Sequence, residues 1–98
     1  MSHNGELFDW DDANISHIAE HGVTPEEAEE VVLGDPSDIG FEVSASGEDR
    51  WSYVGETSHG EVLQVVITPR GNRIRVVTAF EPTRRDKLYY LGHKARQQ

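Results

Sequence analysis

The sequence predicts an α+β domain with two N-terminal helices, a four-stranded antiparallel meander and a C-terminal helix, in the order ααββββα. Two segments with helix-capping signals fill the first third of the chain, alternation of apolar and polar residues begins at Ile39, and another helix cap occurs at Thr83. The 98 residues provide one hydrophobic core. Residues 7–98 are therefore expected to form a single domain, preceded by a flexible tail of residues 1–6.

The first predicted helix is capped by Asp11 and ends at Gly22. Its apolar residues recur at helical spacing, which predicts a buried stripe. The expected stripe consists of Ile15, Ile18 and Ala19.

The second predicted helix has the clearest local signal in the chain. Thr24 and Glu27 have the spacing of a capping box, and Pro25 occupies the first helical position. The helix is expected to end at Gly34. Its buried side chains are expected to be Ala28, Val31 and Val32.

Four strands are predicted after the helices. Phe41 and Val43 share one face of the first strand, and Trp51 and Tyr53 share one face of the second, residues 50–56. Residues 44–49 and 57–60 form the turns that follow these strands. The third strand, residues 62–68, is nearly continuous in apolar residues, which predicts a central strand covered on both sides.

The fourth strand, residues 73–80, follows a hairpin turn over residues 69–72. Strict alternation predicts one face made of Ile74, Val76, Thr78 and Phe80. The opposite face is predicted to carry Arg73, Arg75, Val77 and Ala79, which places two arginines side by side.

The last helix is predicted to be capped by Thr83, with Asp86 three residues later. Leu88 and Leu91 form its narrow apolar stripe, and Gly92 is expected to weaken its end.

Charge is divided unequally along the chain. Residues 1–49 contain 14 acidic side chains and no lysine or arginine, whereas residues 50–98 contain nine basic and four acidic side chains, hence −14 and +5. Such an asymmetry is typical either of a surface that faces nucleic acid or of ion pairing between the two halves. Arg84, Arg85 and Lys87 lie at the wrong end of a helix for its dipole, so they require compensation, either by the acidic N-terminal helices or by a phosphate or acidic partner.

The composition excludes several classes of function. There is no cysteine, and the sequence contains no stretch of membrane-spanning length, no signal-peptide pattern, no phosphate-binding glycine loop and no nucleophile elbow. The protein is therefore expected to be cytoplasmic, without a membrane contact or a cofactor.

Two sets of side chains have spacings that metal sites also use. His17 and His21 are four residues apart, which places two imidazoles on one helix face, but no third ligand is evident. The carboxylates of Glu26, Glu27, Glu29 and Glu30 are better explained as a solvated helix face than as a calcium site. We expect no metal site.

Six short segments occur in the order found in one small protein family. They are residues 8–11, 21–28, 35–36, 50–51, 73–79 and 83–86. Over about residues 8–91 the chain resembles the BrnT-type toxins, RelE-like ribonucleases encoded with a DNA-binding antitoxin called BrnA. The resemblance implies metal-independent RNA cleavage by His and Arg side chains, neutralised by a BrnA-like antitoxin, with no DNA contact by this chain alone.

Two positions depart from the pattern of that family. Phe80 follows Ala79 where the family commonly has an arginine expected at the RNA-cleaving site, and Glu20 precedes His21 where a basic residue is usual. A phenyl ring cannot pair bidentately with phosphate, and a carboxylate repels it.

RNA cleavage by a 2′-hydroxyl requires a base, an acid and cations for the charge that develops on the phosphate. His21 is the candidate base or acid, and Glu27 is an alternative base. The candidate catalytic arginines are Arg50, Arg73 and Arg75, and the candidate phosphate-binding residues are Arg73, Arg75, Arg84 and Arg85.

Four of these residues also have a purely structural interpretation. His21 gains from the dipole of a helix end, Glu27 completes a capping box, and Arg73 and Arg75 form a solvated strand face. Three functions therefore stay open: an RNA-cleaving toxin, a catalytically degenerate member of the fold that acts as a protein-binding or regulatory module, and a non-catalytic nucleic-acid binder. The net charge of −9 disfavours the third.

Overall fold

The structure is a computed structural model that describes residues 7–96. It confirms the α+β class and the predicted order of elements. The elements are α1 (Asp12–Ala19), α2 (Pro25–Leu33), β1 (Ser37–Val43), β2 (Asp49–Glu56), β3 (Val62–Arg70), β4 (Arg73–Phe80) and α3 (Arg84–Arg96). The predicted tail, residues 1–6, lies outside the described residues.

Both N-terminal caps form as predicted. The Asp11 side chain accepts hydrogen bonds from the backbone of α1, and Thr24 and Glu27 form a reciprocal capping box at α2. The predicted stripe of α1 is partly wrong, because Ala19 is exposed and the buried residues are Ile18 and the polar Asn14. The helical spacing of apolar residues does not predict that a polar side chain is buried. The side-chain amide of Asn14 is buried because it makes three hydrogen bonds.

The four strands form one antiparallel sheet in the order β1-β2-β3-β4. The segment before α1 extends the sheet, because Phe8 pairs in parallel with Ile74 at the outer edge of β4. The chain therefore runs along this edge before α1 begins. This pairing places α1 beside β4, and α2 lies against β2 and β3.

One face of the sheet carries the main core. At Gly55 an added Cβ would lie 3.0 Å from the Val31 side chain of α2, so this face of β2 points towards the helices. The core on this side consists of Phe8, Ile18, Val23, Ala28, Val31, Leu63, Val65, Val76 and Ala79. Val32 is only partly buried at its margin.

A β-bulge changes the faces of β4. Val66 pairs with Thr78 and Ile67 pairs with Val76, which leaves Val77 without an opposing residue. The predicted strict alternation is therefore wrong across this point: Val76 and Ala79 both face the core. Arg73 and Arg75 consequently share the opposite face with Thr78 and Phe80.

The second face of the sheet is only partly covered. Helix α3 packs on β1 and β2, so the prediction that β3 is covered on both sides is wrong, and Val66 is only half-buried. The predicted stripe of α3 is also wrong, since Leu88 and Leu91 are exposed and Tyr90 is the buried side chain. The helix continues through Gly92 to Arg96.

No helix within residues 7–96 is long and apolar enough to cross a membrane.

Candidate functional site

The part of the second sheet face between α3 and α1 brings basic and polar side chains together, and we call it the open face. Alternation along the strands and the bulge in β4 place its members on the side opposite α2. They are Arg50, Ser52, Gln64, Val66, Thr68, Arg75, Thr78 and Phe80. Arg75 is paired with Thr68, Thr78 with Val66, and Phe80 with Gln64.

A depression of about 390 Å³ lies at the basic end of the open face, between α1 and the two hairpins. Its lining includes His17 from α1 and arginines from three strands. The residues that line it are Ala13, Asn14, His17, Glu48, Arg50, Arg70, Arg75, Val76 and Val77. Because the lining is mostly polar and positively charged, it is suited to an anion rather than to an apolar ligand.

Glu48 connects two of these arginines. Its carboxylate accepts a hydrogen bond from Arg50 Nε at 3.1 Å and another from Arg70 Nη2 at 3.2 Å. The hydrogen bond from Arg50 is the largest cause that holds the pKa of Glu48 below its ordinary value. Two guanidinium groups thus already point at one carboxylate, an arrangement that they can also adopt towards a phosphate.

Arg75 is held in place by the segment that precedes α1. Its guanidinium lies 3.1 Å from the Asp11 carboxylate and 3.5 Å from that of Asp9, and its side chain is 15% exposed. The hydrogen bond to Asp11 raises the pKa of Arg75, and the same bond lowers the pKa of Asp11. These ion pairs join the acidic first half of the chain to the basic second half.

Three aromatic rings continue from the depression along the edge of the open face. The ring centroids of His17 and His21 are 5.6 Å apart, and those of His21 and Phe80 are 6.0 Å apart. His21 also lines a second depression together with Glu61, Glu81 and Lys87. Within residues 7–96 no group of three or more His, Cys, Asp or Glu side chains is arranged to hold a metal ion.

The remaining predicted site residues lie apart from the depression. Glu27 is in α2, where its carboxylate accepts the backbone N–H of Thr24 at 2.9 Å. Arg73 is exposed at the β3–β4 hairpin, paired with Arg70.

Arg84 and Arg85 lie at the start of α3, and Arg85 is 3.7 Å from Asp86. Helix α3 packs on β1 and β2, and the ion pair described for Arg85 is with the next residue of the same helix. The Nζ of Lys94, at the other end of α3, forms an ion pair with Glu56 of β2.

Sequence reasoning missed three residues of the depression. The sequence pattern indicates only a metal-binding spacing for His17, and it places Arg70 in a hairpin turn and Glu48 in a polar turn. Strand β3 in fact continues to Arg70, and the hairpin has only two residues between the strands, with Gly71 at φ +65°. The usable signal was the two-residue spacing of Glu48 and Arg50, which puts both side chains on one side of extended backbone.

The fold and this site define a small α+β domain in which one end of the exposed sheet face is lined by arginine and histidine side chains. A family model described as the ribonuclease toxin BrnT of type II toxin-antitoxin systems matches residues 10–86. The chain belongs to this family, which confirms the resemblance seen in the sequence. Membership implies a toxin with an antitoxin partner. A search of the curated proteins gives no match.

Proposed function

We propose that the protein is a toxin that cleaves RNA in the cytoplasm without a metal ion, and that a BrnA-like antitoxin neutralises it. The observation that carries this proposal is that the depression brings His17 together with Arg50, Arg70 and Arg75. Membership of the BrnT family supplies the substrate class. In this proposal DNA contact is left to the antitoxin.

The arginines of the depression bind the phosphodiester in this proposal. Arg75 is the fixed member, because Asp9 and Asp11 hold it. Arg50 and Arg70 are the adjustable members, because their shared partner Glu48 can be exchanged for a phosphate oxygen. Arg73, on the exposed hairpin, extends this cationic surface along the RNA.

The imidazoles of His17 and His21 transfer the protons. His17 accepts the proton of the RNA 2′-hydroxyl while its oxygen attacks phosphorus, and His21 donates a proton to the departing 5′-oxygen. One P–O bond forms and one breaks, which leaves a 2′,3′-cyclic phosphate and a 5′-hydroxyl. His17 lies in the last turn of α1 and His21 in the turn that follows the helix, with ring centroids 5.6 Å apart, so the two imidazoles are close enough to act on one phosphodiester. Glu27 has no part in this assignment, since it serves the cap of α2.

A second function is supported by the carboxylates of the site. Asp9, Asp11 and Glu48 already neutralise the arginines, and Phe80 occupies the place where the family resemblance implies arginine. A catalytically degenerate member of the fold that acts only by binding a protein would need no free cation here. The two functions differ in one measurable property, the cleavage of RNA.

The test is a cleavage assay on a labelled single-stranded RNA in buffer with EDTA. We expect cyclic-phosphate products from the wild type, and a loss of about 100-fold or more in kcat/KM for His17→Ala, as for removal of a general base. Arg50→Ala and Arg75→Ala should also lose activity. His59→Ala and Arg96→Ala are the matched controls, because both residues are exposed and lie outside the depression.

Equal cleavage by His17→Ala and wild type would contradict the assigned base. Absence of cleavage by the wild type, together with stable capture of a co-expressed antitoxin, would favour the protein-binding module. Cleavage that EDTA abolishes would contradict metal independence.

A further inference from the structure

Phe80 lies on the open face because of the bulge in β4. Val77 has no opposing residue, so Phe80 shares a face with Arg75 even though five positions separate them along the strand. Without the bulge these two residues would point to opposite sides of the sheet. The register thus combines a half-buried phenyl ring with the basic residues of the proposed RNA site.

The surroundings of Phe80 are those of a planar ligand site. On one side its ring contacts His21, with centroids 6.0 Å apart and planes inclined by 57°. Across the sheet it is paired with Gln64 of β3, whose side-chain amide has no described hydrogen-bond partner within residues 7–96. Because this amide is only half-buried, its donors and its acceptor are accessible to a ligand that displaces water.

The distance along the sheet separates this pair from the arginines. Thr78 and Val66 form the row between Phe80 and Arg75. Gln64 and Thr68, the partners of Phe80 and Arg75, are four residues apart on β3, which corresponds to about 14 Å along an antiparallel strand. The space over Phe80 is therefore next to the phosphate-binding depression and distinct from it.

We propose that Phe80 and Gln64 form a subsite for one nucleobase of single-stranded RNA, next to the cleaved phosphate. The base stacks on the Phe80 ring, and its edge hydrogen-bonds with the Gln64 amide. Stacking on aromatic side chains requires an unstacked base, which only single-stranded RNA offers. This inference rests on the proposed function and names how its substrate is held.

The chemistry of the Phe80 side chain supports the same conclusion. An arginine after Ala79 would add a cation to the cleavage site, whereas the phenyl ring adds an apolar surface that binds bases and not phosphates. Phe80 thus contributes to substrate binding, and the charge stabilisation falls to the arginines of the depression.

The test measures binding of a labelled, fully 2′-O-methylated oligoribonucleotide to the full chain by fluorescence anisotropy. Methylation blocks the attacking hydroxyl, so binding is measured without cleavage. Phe80→Ala should weaken binding by roughly 5- to 150-fold, the value of one stacked base. Phe80→Leu keeps apolar volume without a π-face and should lose a similar factor, whereas Phe80→Tyr should bind like the wild type. Phe41→Ala is the matched control, because Phe41 is exposed on the other face of the sheet.

A second series varies the RNA. Abasic sites in the oligonucleotide should weaken binding of the wild type and have little further effect on Phe80→Ala, because the base and ring act as a pair. Gln64→Ala should reduce the differences in affinity among oligo-A, oligo-C, oligo-G and oligo-U.

Several results would overturn the subsite. These are equal affinity of wild type and Phe80→Leu, equal affinity of the wild type for normal and abasic RNA, or an unchanged base preference in Gln64→Ala. The abasic series on the wild type decides the matter if Phe80→Ala does not fold. Base-dependent binding without any cleavage would contradict the proposed function but support the base subsite. Cleavage together with base-independent binding would support the proposed function but contradict the base subsite.

Discussion

The side-chain amide of Asn14 donates a hydrogen bond to the backbone carbonyl of Val76 at 3.1 Å, across 62 positions of sequence. Its amide also donates to the carbonyl of Asp9 at 3.0 Å, and its oxygen accepts from the N–H of Asp11 at 2.8 Å. A bulge disrupts the ladder of a sheet, and Asn14 bonds the carbonyl that directly precedes the bulged residue Val77. One buried side chain therefore joins α1, the extended segment before it and the irregular part of β4.

Asn14→Ala should lower the free energy of unfolding by about 1–3 kcal/mol, because it leaves buried backbone groups without partners. The measurement is urea denaturation followed by circular dichroism. Ser16→Ala, an exposed change in the same helix, should stay within about 0.5 kcal/mol of the wild type. Coincident unfolding midpoints for Asn14→Ala and wild type would show that the amide does not stabilise the bulge.

Much of the fold follows from local signals in the sequence. The caps at Asp11 and Thr24 depend on side chains that bond their own neighbouring backbone, so the order of residues alone predicts them. The strands follow from their period of two, and the family resemblance is carried by short ordered segments.

The features of the fold and of the site that the sequence does not predict depend on contacts between residues far apart in the chain. The bulge at Val77 is a property of the β3–β4 register, and no feature of β4 alone shows it. The depression likewise depends on α1 lying at the edge of β4, which brings His17 to Arg50 and Arg75. The apolar pattern of α3 predicts burial of Leu88, but the helix turns Tyr90 inward, where Glu56 and Lys94 lie beside it.

Gly55→Ala should destabilise the protein by about 1–3 kcal/mol through overpacking. The added Cβ would lie 3.0 Å from Val31 Cγ1 and 3.1 Å from Pro36 Cβ, so α2 and the loop after it would have to move. Gly40→Ala is the control, because a Cβ there meets nothing within 4 Å. Thermal unfolding of the two variants should show a lower midpoint for Gly55→Ala only, and a shared midpoint would indicate that the α2 contact relaxes without cost.

The ion pair of Asp11 with Arg75 should make stability depend on pH in acid. The pKa of folded Asp11 is lowered from its ordinary value of 3.8, chiefly by its hydrogen bond with Arg75. A lowered pKa contributes stability that is present above pH 3.8 and is lost as the pH falls through the folded value. Asp11→Asn retains a capping side chain and removes the charge, so its urea midpoint should change less than that of the wild type below pH 4. Parallel acid profiles for the two proteins would exclude this linkage, and Asp12→Asn controls for a nearby exposed charge.

Glu48→Gln should strengthen RNA binding, because Glu48 occupies two guanidinium groups that the proposed function assigns to phosphate. With the carboxylate gone, Arg50 and Arg70 can neutralise phosphate oxygens without first breaking ion pairs. The slope of the logarithm of the binding constant against the logarithm of the salt concentration should therefore become steeper by about 1, the value of one additional phosphate contact. The measurement is anisotropy of a 2′-O-methylated oligonucleotide at several salt concentrations. Asp35→Asn is the control for net charge, since Asp35 is exposed between α2 and β1 and lines neither depression. If both variants change affinity equally, the gain comes from net charge alone, and Glu48 does not compete with RNA for the arginines.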